Sequence, residues 1–403
     1  MKIADVKTYV VANPPPHYGG EYFVFLKLTT DDKIEGFGEA YGVPFHPNTV
    51  ARMIEDVGER HVIGSDPFKI ERLWRIIYSS GFTQHPDLSL VGVLSAIEMA
   101  CWDIIGKALN QPIYNLLGGQ VHEKLRSYTY LYPGPDDLAA TEGGLAIANI
   151  FDDPERAPKK AVQYVEQGFT ALKFDPVMPM SAFDPRQLSL EALDNAELVV
   201  KNVREAVGNK CDILIGTHGQ MTTSSAIRFA KRLEQFDPLW FEEPVPPENV
   251  EEMARVARST SIPIASGERL TTKYEFTRLL EKQAVTILQP ALGRVGGILE
   301  AKKIAGMAEA HYAQIAPHLY CGPIEAAANI QLDTCSPNFL IQESIETFGG
   351  FHAEILKEPI KWEDGYIIPP TKPGLGVELN EEVASNNPYI GTRLFPEMVD
   401  RPI

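Results

Sequence analysis

Short apolar runs in the second half of the chain end, one after another, on a side chain that can hold charge or move a proton. Ala171-Leu-Lys-Phe carries Lys173 and leads to Asp175. Later runs end at His218, at Glu242 and Glu243, and at Glu268, Gln289, His318 and Glu343. A charged group is costly to bury without a partner, so carboxylates and imidazoles recurring at one end of successive runs are hard to explain as packing. Glu242 and Glu268 end neighbouring runs and suit a hard divalent cation held by oxygen, with Mg2+ the natural choice; the plain alternative is a pair of rim salt bridges. His218 and His318 fit acid–base work, since an imidazole titrates near pH ~6.5, although a lone histidine of this kind is commonly a hydrogen-bonded structural residue. Glu343 could donate to a developing oxyanion if burial raises its pKa, or form an ion pair. Lys173 and Asp175 share one face, so a salt bridge between them or with neighbours is open. Glu243 points to the opposite face by strand alternation and is expected to brace a lysine or arginine.

These residues need a frame that brings run ends together. From about residue 126, short runs rich in β-branched residues alternate with amphipathic helical stretches such as 196–207, 224–236 and 297–310. The pattern is that of strands buried on both faces in a parallel sheet. A further strand near 126–130 brings the count to eight, and the spacing of the later runs is comparable to the ~31 residues per unit of a (β/α) barrel. The fold class is therefore α/β, a closed barrel rather than an open sheet, with its site at the C-terminal mouth. Residues 1–40 read as a three-strand meander, with Asp31-Asp32 as the second turn. Loops rich in Pro and Gly occupy 13–20 and 42–48. The segment 90–109 is helical by spacing, stopped by Asn110 and Pro112. An insertion at 177–189 is expected to be a mouth loop and candidate lid. The tail from about 362 reads as strands and turns returning to the meander.

A formal net charge of −17 argues against nucleic acid or an anionic membrane as partner. An acidic substrate would then need positive charge supplied locally, by a metal or by Lys and His. The four cysteines form no CxxC pair, which argues against a zinc cage or disulfide framework and fits a cytoplasmic protein. The amino terminus lacks a signal-peptide pattern, and no apolar run of the ~20 residues that span a bilayer stands out.

At this point the chain resembles the mandelate racemase and muconate lactonizing branch of the enolase superfamily. The carriers are Ser95-Ala-Ile-Glu-Met-Ala-Cys-Trp-Asp-Ile-Ile-Gly-Lys with Gln111-Pro and Leu116-Leu-Gly-Gly, then Phe241-Glu-Glu-Pro, Ala265-Ser-Gly-Glu, Gly293-Arg-Val-Gly-Gly-Ile and Pro373-Gly-Leu-Gly-Val-Glu. Thr217-His-Gly-Gln, Ala316-Pro-His and Ile341-Gln-Glu look most like the galactonate and mannonate dehydratases. The resemblance implies a (β/α)7β barrel over 126–361 and an α+β capping domain from 1–125, joined by the tail 362–403. It implies Mg2+ and removal of an α-proton from a bound sugar acid. Carried over, His318 is the base, His218 the acid, Glu343 the enediolate stabiliser, and Glu242 and Glu268 are metal ligands. Lys173 stands at the first position of the paired-lysine motif. The loops with His17, Tyr18 and His46 would close over the substrate, and relatives are commonly dimers or octamers.

Three positions depart from the family pattern. Gly216 stands where the first metal ligand is an Asp, Ala291 where an Asp orients the base, and Asp175 where the second lysine falls. Asp175 or His218 is expected to enter the metal shell, or the substrate to complete it. Loss of the orienting Asp predicts a less basic His318. Dehydration of an aldonate-type acid to a 2-keto-3-deoxy acid is the leading expectation. The runner-up is an isomerase on such an acid or its lactone or anhydro form, and the third is a non-catalytic acid-binding relative.

Overall fold

The computed structural model describes residues 1–41, 44–134, 148–392 and 398–403. Strands β1 (Ile3–Ala12), β2 (Tyr22–Thr30) and β3 (Glu35–Ala40) form an antiparallel meander in which Thr8 faces Leu26 and Lys27 faces Phe37. Its inner face lies on the helix Leu88–Leu109. The approach is close enough that a Cβ on Gly36 or Gly38 would overlap the helix carbonyls of Ala100 and Ala96. Only glycine fits there.

By length and composition alone this helix could cross a bilayer, contrary to the expectation that no such segment exists. Its apolar residues run all the way round because it is covered on several sides, by the meander, by Ile70–Tyr78 and by Leu292–Val295. A helix buried on every side has the composition of a spanning one.

Eight parallel strands make the barrel: β4 (Leu125–Tyr130), β5 (Ala171–Phe174), β6 (Asp212–Ile215), β7 (Trp240–Glu242), β8 (Ile264–Ser266), β9 (Ile287–Leu288), β10 (Gln314–Ile315) and β11 (Gln342–Glu343). Each pairs with the next through β10, and β11 pairs with β4. The ring closes where Ile315 bridges Phe339 and the Leu340 amide donates to the Ile315 carbonyl at 2.9 Å. Tyr128, Leu214, Trp240 and Ile341 belong to one buried cluster and are at most 0% exposed, so the barrel has a packed floor rather than a pore. The order β4 to β11 with intervening helices is the (β/α)7β architecture.

The chain after the barrel touches three places. Strands β12 (Lys361–Glu363) and β13 (Tyr366–Ile368) form a hairpin whose second strand runs antiparallel to β4, with Ile367 opposite Leu125. Farther on, Gly374 accepts from Ile113 and the Tyr389 amide donates to Val10, both on the meander side. Finally Val399 exchanges backbone hydrogen bonds with Ala182 and Met180, and Ser181 Oγ donates to the Arg401 carbonyl at 2.8 Å. The 177–189 insertion is thus tied to the chain end, and its Arg186 amide also donates to Gln220 at 2.9 Å.

Candidate active site

Lys173 sits on β5 with its side chain fully enclosed, and its ammonium contacts the Glu242 carboxylate at the end of β7. The other Glu242 oxygen accepts from Trp240 Nε1 at 2.9 Å and Gln289 Nε2 at 2.7 Å. Lys173 therefore pairs across the barrel, and the alternative of a bridge to Asp175 is not taken up. Burial acts against the lysine charge, yet Glu242, Glu343 and Glu268 outweigh it and hold the ammonium above its ordinary value. Glu343 Oε1 lies 3.9 Å from the same nitrogen.

His318 follows β10, with its backbone bridged to Ala291. Its Nδ1 lies 2.9 Å from Glu343 Oε2 and 3.3 Å from Glu268 Oε2. Burial would lower its pKa, but the two carboxylates reverse the sign and raise it. Against the expectation of a less basic His318, Glu268 and Glu343 place beside Nδ1 the negative charge that Ala291 lacks. Glu343 also departs from expectation. Burial pushes it up, but Lys173, His318 and the Leu319 amide at 2.8 Å prevail, and the carboxyl is held below its ordinary value. Its oxygens act here as acceptors, towards the Leu319 amide and beside His318 and Lys173.

His218 stands on the far side of Glu268, in a left-handed backbone conformation with φ 46°. Its Nδ1 lies 2.8 Å from Asp175 Oδ2 and its Nε2 3.9 Å from Glu268 Oε1. Burial opposes its charge, but Asp175 and then Glu268 push the pKa up to about 10. Glu268, flanked by both imidazoles, stays below the usual carboxylate range despite its burial. Glu243 points away from this cluster and pairs with Arg269, whose Nε and Nη2 donate to it at 2.9 and 2.6 Å.

Gly216 and Asp175 are sterically linked. A Cβ on Gly216 would overlap Asp175 Oδ1, so the Asp175 carboxylate occupies the space into which a side chain at 216 would project. Asp175 Oδ1, Glu268 Oε2 and Glu343 Oε1 are buried without a hydrogen-bond donor. Hard oxygens with spare lone pairs are the donors a small divalent cation takes. The residues fit such an ion in kind, although each carboxylate leans on a cationic side chain and no three ligating groups converge as a ready cage among the described residues.

The capping loops divide. The Tyr18 hydroxyl donates to the Pro133 carbonyl and its ring lies 4.7 Å from that of Tyr132, placing it beside the barrel rim. His17 is held within its own loop by the Asn13 carbonyl at 2.6 Å and by Glu21 at 3.3 Å. His46 accepts the Asn48 amide through Nδ1 at the start of the helix Pro47–Val57, and its Nε2 meets the Gly391 carbonyl at 3.1 Å. Among the described residues, the side-chain polar contacts of His17 and His46 run to Asn13, Glu21, Asn48 and Gly391 and not to the imidazole–carboxylate cluster. One mouth residue carries no local mark in the sequence: Tyr41, whose hydroxyl lies 3.3 Å from His318 Nε2, with Arg294 of the Gly293-Arg-Val-Gly-Gly-Ile motif stacked over its ring. Tyr41 sits in an ordinary apolar strand end, and only its contacts distinguish it.

Residues 156–383 match the enolase C-terminal domain-like family, and 16–118 match the mandelate racemase / muconate lactonizing enzyme N-terminal domain. The chain belongs to the mandelate racemase/muconate lactonizing enzyme family. It is 35% identical over 392 residues to a D-galactonate dehydratase from Pectobacterium atrosepticum, covering 95% of this chain and 93% of that protein. Among solved structures, a protein from Labrenzia alexandrii described as a member of the same family superposes with a TM-score of 0.95 at 58% identity, over 99% of this chain and 100% of that one. A mandelate racemase/muconate lactonizing enzyme from Sulfitobacter sp. gives 0.94 at 48% identity, over 100% and 99%. Members of this superfamily typically use Mg2+, which agrees with the hard-oxygen character of this mouth.

Proposed function

We propose that this chain is a Mg2+-dependent dehydratase of a sugar acid, an aldonate-type carboxylate converted to its 2-keto-3-deoxy product. The observation that carries the reading is the pair of imidazoles on either side of Glu268. Each has Nδ1 against a carboxylate, which leaves Nε2 as the atom that exchanges a proton with a ligand. The 35% identity to a D-galactonate dehydratase supports the choice of dehydration and of an aldonate.

Glu242, Glu268 and Asp175 would hold the cation, which when bound offsets the charge that builds on the substrate carboxylate as its α-proton leaves. His318 Nε2 takes the α-proton while Glu343 and Glu268 hold the imidazolium through Nδ1. Lys173, charged and fully buried, contributes positive potential beside the developing oxyanion. His218, protonated and steadied by Asp175, gives its Nε2 proton to the β-hydroxyl as that C–O bond breaks, and water leaves. The enol that remains becomes the 2-keto-3-deoxy acid, so atoms balance with no oxidant or reductant. Tyr18 at the rim would line the substrate, with the 1–125 cap closing over the 126–361 barrel and the 362–403 tail joining them.

The test is a panel of aldonates, uronates and aldarates, galactonate first, incubated with Mg2+ and assayed for 2-keto products. A positive member is expected among the aldonates. A flat response across all three classes overturns the reading, and solvent deuterium entering Cα without loss of water would replace it with an isomerase.

A further inference from the structure

The cap delivers one side chain directly onto the proton-exchanging nitrogen of His318. Tyr41 follows β3, is buried, and its amide donates to the Gly293 carbonyl at 3.1 Å. A side chain on Gly293 would strike Glu325 and press on the Tyr41 Cβ, so the glycine is what lets the tyrosine stand there. The Arg294 guanidinium lies 3.6 Å from the Tyr41 ring centroid and covers its face, while Arg294 Nη1 donates to the Glu268 carbonyl at 3.2 Å. Held from both directions, the phenol presents its hydroxyl 3.3 Å from His318 Nε2, with the two rings 5.5 Å apart and tilted by 34°. On the opposite edge of the imidazole, Nδ1 faces Glu343 and Glu268. Carboxylate oxygens accept hydrogen bonds, so their position 2.9 and 3.3 Å from Nδ1 favours the tautomer with hydrogen on Nδ1, and Nε2 is the nitrogen nearest the phenol.

Taking His318 as the base, as read above, we propose that Tyr41 is its positioning residue: the phenol hydroxyl holds Nε2 in line until a substrate takes its place. The imidazole is then fixed at both nitrogens, from the barrel through Nδ1 and from the cap through Nε2. The barrel neighbour Ala291 has no group with which to do this. The arrangement also ties readiness of the base to docking of the cap, because Tyr41 reaches the ring only with the meander seated on the barrel. No bond is made or broken at Tyr41 itself.

Tyr41→Phe keeps the ring and its stacking on Arg294 and removes only the hydroxyl. In the full-length protein labelled with 15N-histidine, without metal or substrate and at one fixed pH, the His318 ring lines are assigned by their loss in His318→Gln. The expected result is a displaced Nε2 line in Tyr41→Phe, with Nδ1 unchanged and still bonded to hydrogen. Superimposable lines, or a wild-type ring with no hydrogen on Nδ1, overturn the proposal. Replacing tyrosine with 3-fluorotyrosine alters the hydroxyl without disturbing packing and must move the same Nε2 line; a static line overturns the proposal even if the phenylalanine variant fails to fold. On an acid that is turned over, Tyr41→Phe is expected to lower kcat roughly tenfold, as loss of one positioning hydrogen bond does, with KM nearly constant. A raised KM at constant kcat, or no change in either, also counts against it. If no acid is turned over, the dehydratase reading fails while the ring spectra still decide the role of Tyr41.

Discussion

Buried carboxylates serve two opposite purposes in two parts of this molecule. Around the cap, where it meets the tail and the barrel, Asp103 accepts the Phe37 amide at 3.0 Å, the Leu375 amide at 2.9 Å and Lys107 Nζ at 2.8 Å. Glu98 accepts Trp102 Nε1 and the Ile298 and Leu299 amides at 2.7–2.9 Å, so a cap carboxylate satisfies the first turn of the barrel helix Ile298–Ala310. Glu39 does the same for Pro323–Thr334 through the amides of Gly322 and Glu325, at 2.6 and 2.9 Å. At the mouth, Asp175, Glu268 and Glu343 each keep an oxygen with no donor and face imidazoles or Lys173, with the Leu319 amide on Glu343 the one backbone donor among the bonds described. A carboxylate whose lone pairs are consumed by fixed amides holds the fold together. One opposed by titratable side chains, with capacity to spare, is available to a ligand.

The contrast predicts that the two groups fail differently. The largest effect is expected at His318→Gln, which should lower product formation by roughly 10²–10⁴ while leaving the unfolding midpoint in place. An unfolding midpoint that falls together with activity would erase the distinction. Asp103→Leu should do the reverse, costing about 3–5 kcal/mol in urea unfolding because Lys107 and two amides lose their acceptor, with kcat of the folded fraction retained.

Asp175→Asn removes the carboxylate that fills the Gly216 space and should weaken Mn2+ binding, read by electron paramagnetic resonance, by at least about tenfold. Unchanged affinity would return Asp175 to a purely structural partner of His218. The smallest effect concerns His352, buried with its Nε2 3.0 Å from the Cys321 carbonyl. Burial lowers its pKa from 6.5 to about 4. The unfolded chain therefore takes up this proton first, so the contribution to stability is complete above pH 6.5 and declines as pH falls from there towards 4. Urea unfolding at pH 7.5 and 4.5 should show a shallower acid loss in His352→Gln than in the wild type. Equal losses would remove His352 from the account.

Much of this was written in local pattern. Strand ends such as Phe241-Glu-Glu-Pro already implied that Glu242 and Glu243 face opposite ways, and Arg269 is found bracing Glu243 as alternation requires. The alternation of β-branched runs with amphipathic helices was sufficient for an α/β barrel, because side-chain period follows directly from backbone geometry. The polar strand ends were sufficient to collect His218, Glu268, His318 and Glu343 at one mouth.

What local pattern could not decide was which polar groups share a proton or a charge. Ala291 suggested a weakened base, but Glu268 and Glu343 arrive from two other strands and put negative charge beside its Nδ1. That His46 would meet the Gly391 carbonyl of the tail could not be read from its own loop. Tyr41 and His318 are separated by 277 positions and meet only because the cap docks on a closed barrel. Periodicity is a property of neighbours along the chain and survives in the sequence. Electrostatic partnership depends on distances of a few ångström between distant segments, and those exist only after the ring has closed and the cap has seated.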